Sequence, residues 1–136
     1  MSDWANDITM MHYKFGVKEW FEKNKHDKEL MNNYLNFRLA MCKEELDETM
    51  DAIEAKDPEE IVDGLIDLCV FAIGTLDVFG VDANEAWDRV YEANMAKSPG
   101  VKEGRPNPFG LPDLIKPEGW TAPTHEANHG NFPDAV

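Results

Sequence analysis

Two aspartates, Asp63 and Asp67, interrupt the most apolar stretch of the chain, Ile61 to Leu76. It reads Ile-Val-Asp-Gly-Leu-Ile-Asp-Leu-Cys-Val-Phe-Ala-Ile-Gly-Thr-Leu, and a run of this composition is expected to be a buried element. An ionised carboxylate inside a protein is too costly without compensation, so each aspartate should be neutral, paired or bound to a cation. Cationic side chains are scarce, with 13 Lys plus Arg against 27 Asp plus Glu. A hard divalent cation taking oxygen ligands answers the same need, magnesium first and manganese as its substitute. Further carboxylates stand upstream in Glu44-Glu45-Leu46-Asp47-Glu48.

The net charge of −14 and a sequence pI near 4.5 argue against nucleic acid or an anionic membrane as partner. An anionic substrate is compatible with that charge where metal ions screen it. Cys42 and Cys69 fall at apolar helical positions and are expected to be buried, reduced thiols of a cytoplasmic protein. With Asp3, Asp7 and no long apolar run, the N-terminus is not expected to be an export signal. The stretch 61–76 is too short and too acidic to span a membrane. At 136 residues the chain makes one domain, with about a hundred residues for a regular core. A core of that size is often completed by oligomerisation.

The pattern predicts an all-α fold, an antiparallel helical bundle without strands. A first helix spans 4–14 and is closed by Gly16. A second runs from the Asp27 cap to about Ala55, with Leu35, Leu39, Cys42, Leu46 and Ile53 as its stripe. A third opens with Asp57-Pro58-Glu59-Glu60, a cap, a proline at the first helical position and acids in the first turn, and ends near Phe79. A fourth runs from Asp82 to about Lys97. From Pro99 onward come seven of the eight prolines. The expected division is therefore a helical domain, 1–97, and an irregular extension, 98–136, that packs on it or on a neighbouring subunit. Phe109, Leu111, Leu114, Ile115 and Trp120 make the extension too apolar to stay solvated.

Residues three and four apart share a helix face, which pairs Glu45 with Glu48, sets Glu44 beside Glu48, and pairs Asp63 with Asp67. The short link at Lys56–Asp57 makes the two helices antiparallel neighbours, so the acidic faces can meet. Glu44 to Glu48 alone would be an ordinary solvated face; the aspartates in the apolar run turn it into a candidate magnesium site.

Glu-Glu-x-x-Glu at 44–48, followed by Asp63-Gly64-Leu65-Ile66-Asp67-Leu68, resembles the MazG-like all-α nucleoside triphosphate pyrophosphatases, relatives of dimeric dUTPases and phosphoribosyl-ATP pyrophosphohydrolases. The likeness covers residues 8 to 97 and includes Met11-His12-x-x-Phe15-Gly16, Arg38 to Glu48, and Asn94-Met95-Ala96-Lys97. The tail from Gly104-Arg105-Pro106 to Gly119-Trp120 is similar to phage-type members. The commonest family pattern on the second acidic helix is Glu-x-x-Asp. Here the position three before Asp67 is Gly64, and Asp63 stands one residue earlier, as in a DxxxD subtype. The resemblance implies hydrolysis of a nucleoside triphosphate to the monophosphate and pyrophosphate. It implies Glu45, Glu48 and Asp67 as metal ligands, with Asp63 replacing the missing glutamate. Glu44 is the candidate for activating the attacking water, against an ordinary exposed helix glutamate.

Asn94 and Lys97, three apart near a helix end, are candidates for the sugar and phosphates, though a lysine there also suits the helix dipole. Arg38 is a candidate for either a phosphate or an acid. Arg105, the only arginine of the tail, could close over the site or be an ordinary loop residue. His12 and Phe15 are candidates for the base, against a core Phe15 and an exposed His12. Trp20, Trp87 and Trp120 are alternative stacking groups, with Trp87 expected in the core. His125 and His129 are expected in solvent.

The sequence therefore points to a magnesium-dependent pyrophosphohydrolase acting on a (deoxy)nucleoside triphosphate in the cytoplasm, the host cytoplasm for a phage gene. Phage relatives that remove dGTP make dGTP the leading substrate; dUTP and damaged nucleotides are rivals. The resemblance also implies a homo-oligomer, a dimer-of-dimers tetramer in preference to a dimer, with the tail completing a neighbour's site. A non-catalytic acidic adaptor for a basic protein is the reading from another class. Burial of Asp63 and Asp67 would exclude it. A di-iron carboxylate bundle would need histidine three after a glutamate, and none of Glu44, Glu45 or Glu48 has one.

Overall fold

The computed structural model describes residues 1–136 and divides them into two compact units, residues 1–83 with 128–136, and residues 84–127. The first contains α1 (Trp4–Lys14), α2 (Val17–Asn24), α3 (Lys28–Glu54) and α4 (Pro58–Val78). Three of these helices start at an aspartate whose side chain accepts a backbone N–H: Asp3 from Asn6, Asp27 from Leu30 and Asp57 from Glu60. Between α3 and α4 the chain reverses through Lys56 in the left-handed region, φ 55°.

The antiparallel α3–α4 pair is the backbone of this unit, and α1 lies on α4. Its apolar core sits at one end of the pair. Phe21, Met31, Val78, Phe79 and Ala135 are buried there, with Tyr34, Leu35 and Phe132 against them. Phe132 stacks on Phe79 with ring centroids 4.8 Å apart, and the N–H of Asn131 donates to the Phe79 carbonyl at 2.6 Å. A Cβ at Gly130 would stand within 2.9 Å of both the Gly80 carbonyl carbon and the Val81 nitrogen. Only glycine lets the strand of chain pass there.

The second unit holds α5 (Ala83–Met95), which begins one residue before it, and a two-stranded antiparallel ribbon of β1 (Ser98–Gly100) and β2 (Asp113–Ile115). No residue of α5 is buried.

The fold is all-α, as the pattern predicts, with three differences. Helix α2 stands where no element is expected; at 8 residues it is too short to show periodicity beyond Val17, Trp20 and Phe21. The ribbon is a correction to the expected absence of strands, and strands of 3 residues cannot display alternation. The largest difference concerns the apolar run. Helix α4 buries one stripe, Gly64, Gly74, Thr75 and Val78, while Val62 is 64 % exposed and Leu65 and Ile66 are exposed beside it. Asp63 is likewise exposed and Asp67 half-buried. One helical layer covers one stripe, so the rest of the run faces outward in the single chain. No single helix is long and apolar enough to cross a membrane.

Candidate active site

The inward line of α3 repeats every seventh residue, Met31, Arg38, Glu45 and Ala52, so it carries a guanidinium and a carboxylate between two apolar ends. Met31, Arg38 and Ala52 are buried and Glu45 is half-buried. Opposite Glu45, the helices touch through small groups. Thr49 is 5 % exposed, its hydroxyl donates to the Glu45 carbonyl at 2.7 Å, and it faces Gly64 of α4. Glu45 and Glu48 lie four and one residues before Thr49, and Asp63 and Asp67 stand on either side of Gly64. The acids thus lie next to the Thr49–Gly64 contact between α3 and α4.

Partial burial pushes the Glu45 carboxyl above the ordinary glutamate value, and the charges of Glu48, Asp67, Glu44 and Asp63 push it the same way. None of these five acids makes an ion pair; the nearby Lys43 is taken by Asp47 at 2.6 Å. Five mutually repelling carboxylates without a cationic partner form a donor set for a hard divalent cation. In this structure no three of them converge closely enough to hold one. The donor chemistry suits a hard divalent cation.

Arg38 does not reach toward the acids. It is buried, and its Nε and Nη2 donate to the Thr75 hydroxyl at 3.2 Å and the Phe71 carbonyl at 3.4 Å. The guanidinium also lies 5.3 Å from the Phe71 ring centroid. It makes no ion pair with a carboxylate. Gly74 makes room for it, since a Cβ there would also stand 3.4 Å from the His12 ring.

His12 and Phe15 exchange the places considered for them. His12 is 8 % exposed with Nδ1 held by Asp77, while Phe15 is 68 % exposed beside the Lys14 ammonium. Asp77 also receives Thr9 and Lys18, a junction of α1, α2 and α4. Desolvation alone would raise Asp77, yet the donors Thr9, His12 and Lys18 hold its carboxyl below the usual range. Nothing in the sequence singles Asp77 out beyond its being an aspartate at the apolar end of α4.

In the second unit, Asn94 is exposed and the Lys97 ammonium lies 5.2 Å from the Trp120 ring centroid. Lys116 lies 5.3 Å from the same ring, whose Nε1 donates to the Ala93 carbonyl at 2.8 Å. Arg105 is an exposed loop residue. Trp87, expected in the core, is exposed and stacks on Tyr91, because α5 buries no face in the single chain. His129 is exposed as expected; His125 is half-buried, with a buried Nδ1 that lacks a hydrogen-bond partner.

Residues 13–94 match the family model described as phosphoribosyl-ATP pyrophosphohydrolase. The matched range contains all five acids, Phe15, Arg38 and Asn94, and ends before Lys97 and Arg105. No curated protein and no solved structure matches the chain.

Proposed function

The chain belongs to the phosphoribosyl-ATP pyrophosphohydrolase family and is a pyrophosphohydrolase acting on nucleotide phosphoric anhydrides; from this we propose that it cleaves a (deoxy)nucleoside triphosphate between the α- and β-phosphates with the help of magnesium. The observation that carries the reading is the set of five unpaired carboxylates around the Thr49–Gly64 contact.

Glu45, Glu48, Asp63 and Asp67 are the residues that would hold the metal. A divalent ion bound there supplies charge neutralisation for the triphosphate and favours ionisation of water. Glu44, exposed one residue from Glu45, accepts the proton of the attacking water. Water oxygen bonds to the α-phosphorus, the bond to the bridging oxygen breaks, and pyrophosphate leaves with that electron pair. Asn94, Lys97 and Arg105 are the proposed contacts to sugar and phosphates, and Phe15 offers an open aromatic face to the base. Arg38 supports the site through the α3–α4 interface instead of the substrate. Among substrates dGTP leads, with dUTP, damaged nucleotides and the phosphoribosyl-ATP of the family name as competitors.

The exposed Asp63 withdraws the burial argument against an acidic adaptor, and the family match answers it instead. Large apolar side chains left exposed on α3 and α4, among them Phe37, Leu46, Met50, Val62, Leu65 and Ile66, support self-association, which we take to be a homotetramer. Phosphate release from each common NTP and dNTP, with magnesium and added inorganic pyrophosphatase, tests the activity. Turnover that persists in excess EDTA, or phosphate released without the pyrophosphatase, would sink it. Light scattering that returns the 15.5 kDa protomer at full activity would refute the assembly.

A further inference from the structure

The position three before Asp67 is Gly64, and the geometry shows what a side chain there would meet. A Cβ would overlap the Thr49 hydroxyl and stand 3.3 Å from its Cβ and 3.6 Å from its Cα. Thr49 is buried and its hydroxyl is bonded to the Glu45 carbonyl, so turning that hydroxyl out of the way costs the hydrogen bond and still leaves the 3.3 Å contact to its Cβ. A side chain at 64 therefore strains this contact, and either the Thr49 hydroxyl or the helix spacing must give. The lack of a side chain at that position leaves room for Thr49, next to the neighbouring acids.

We infer that Thr49 and Gly64 form the spacer that sets the separation of Glu45 and Glu48 from Asp63 and Asp67, and so act as positioning residues for the divalent cation. The inference rests on the metal-dependent reading above. Glu45 lies one turn before Thr49 and shares the hydrogen bond that fixes it. Asp63 is bonded directly to Gly64, and Asp67 follows one turn later. Bulk inserted between Thr49 and Gly64 would push α3 from α4 at this contact, and with them the two pairs of acids that would hold the ion. Metal sites are intolerant of such displacement, because oxygen ligands around magnesium or manganese need a narrow range of distances.

The full chain is titrated with Mn2+ in the calorimeter, without nucleotide, at a temperature well below melting, and the metal-free melting temperature is recorded in parallel. Gly64→Ala should weaken Mn2+ binding by about tenfold or more with helical content retained. The Thr49→Ala/Gly64→Ala pair, which removes the clashing hydroxyl and leaves a 3.3 Å contact, should bind Mn2+ within about threefold of Thr49→Ala. Gly74→Ala, which meets Arg38 instead, should lower the melting temperature but hold Mn2+ affinity within about twofold. Undiminished binding by Gly64→Ala, or a double variant that folds yet binds as poorly as the single, overturns the spacer alone. Equal loss in Gly74→Ala overturns it as well, by showing that general loosening of α4 suffices. Where Gly64→Ala fails to fold, the double variant against Thr49→Ala decides. A wild-type chain that binds no Mn2+ overturns the metal reading itself, and the spacer with it.

Discussion

The Nδ1 atom of His12 lies 2.6 Å from Oδ2 of Asp77, joining α1 to the last turn of α4. Burial holds His12 below its ordinary pKa, against the pull of Asp77 and with the help of Arg38 and Lys18. The ring is therefore neutral at pH 7. A carboxylate can only accept, so Nδ1 carries the proton and Nε2 keeps its lone pair.

This junction makes stability fall with acid in two successive windows. The folded His12 value lies below 6.5, so the unfolded chain binds that proton more readily, and stability declines as pH drops below 6.5. The Asp77 value lies below 3.8, so its contribution is complete above 3.8 and is lost as pH falls through the depressed value. His12→Asn keeps a donor for Asp77 and should flatten the upper window alone. Urea midpoints at stepped pH check this; an unchanged upper decline in the variant contradicts it.

Crowding of like charge around Glu45 predicts a trade between stability and function. Glu45→Gln should raise the metal-free stability by roughly 0.5–1.5 kcal/mol while removing turnover by orders of magnitude. Glu48→Gln and Asp67→Asn should also abolish turnover with the helices intact. Paired melting curves and steady-state rates test the two halves separately.

Asp63 and Asp67 occupy different surroundings, one exposed and one half-buried. If both hold the ion, Asp63→Asn costs as much turnover as Asp67→Asn, about a hundredfold or more. Near-normal kcat in Asp63→Asn would reduce Asp63 to a bystander and leave the second helix with a single ligand.

The stack of Phe132 on Phe79 fixes the chain end into the core of the first unit. Phe132→Ala should cost about 2–4 kcal/mol, since it removes an aromatic pair and leaves a void against a fully buried ring. A shift of the urea midpoint at constant slope reads this directly.

Lys56 occupies the left-handed region at φ 55° in the α3–α4 link, where a side chain is strained. Lys56→Gly should stabilise by about 0.5–1 kcal/mol, the relief of that strain outweighing the added freedom of the unfolded chain. A lower melting temperature in this variant would show that the lysine side chain contributes more than its backbone costs.

The long helices were legible because their ends carry explicit chemistry. Asp27 and Asp57 are caps that do bond their first turns, and Pro58 sits at a position that has no use for its missing N–H. The acids were legible by spacing, since Glu45, Glu48, Asp63 and Asp67 can share two facing surfaces only on helices. Burial was not. An apolar run such as 61–76 reports that something must cover it, and composition does not say whether the cover comes from the same chain. Nor could Gly64 be read correctly, because its meaning depends on Thr49, fifteen positions away on another helix. His12 and Phe15 traded places for a similar reason: the acceptor that draws His12 inward is Asp77, remote in sequence.

Asp82 and Asn128 exchange two hydrogen bonds, the Asp82 N–H donating to Asn128 Oδ1 at 2.8 Å and the Asn128 side-chain amide to the Asp82 carbonyl at 2.9 Å. The chain leaves the first unit and re-enters it at a single clasped gate. What lies between is, in engineering terms, a cassette. Phe132 packs on residues of the first unit, so its place in the core is set on the near side of this gate. A short flexible bridge between Asp82 and Asn128 would turn the helical unit into a minimal scaffold, and foreign segments could be grafted at the same seam.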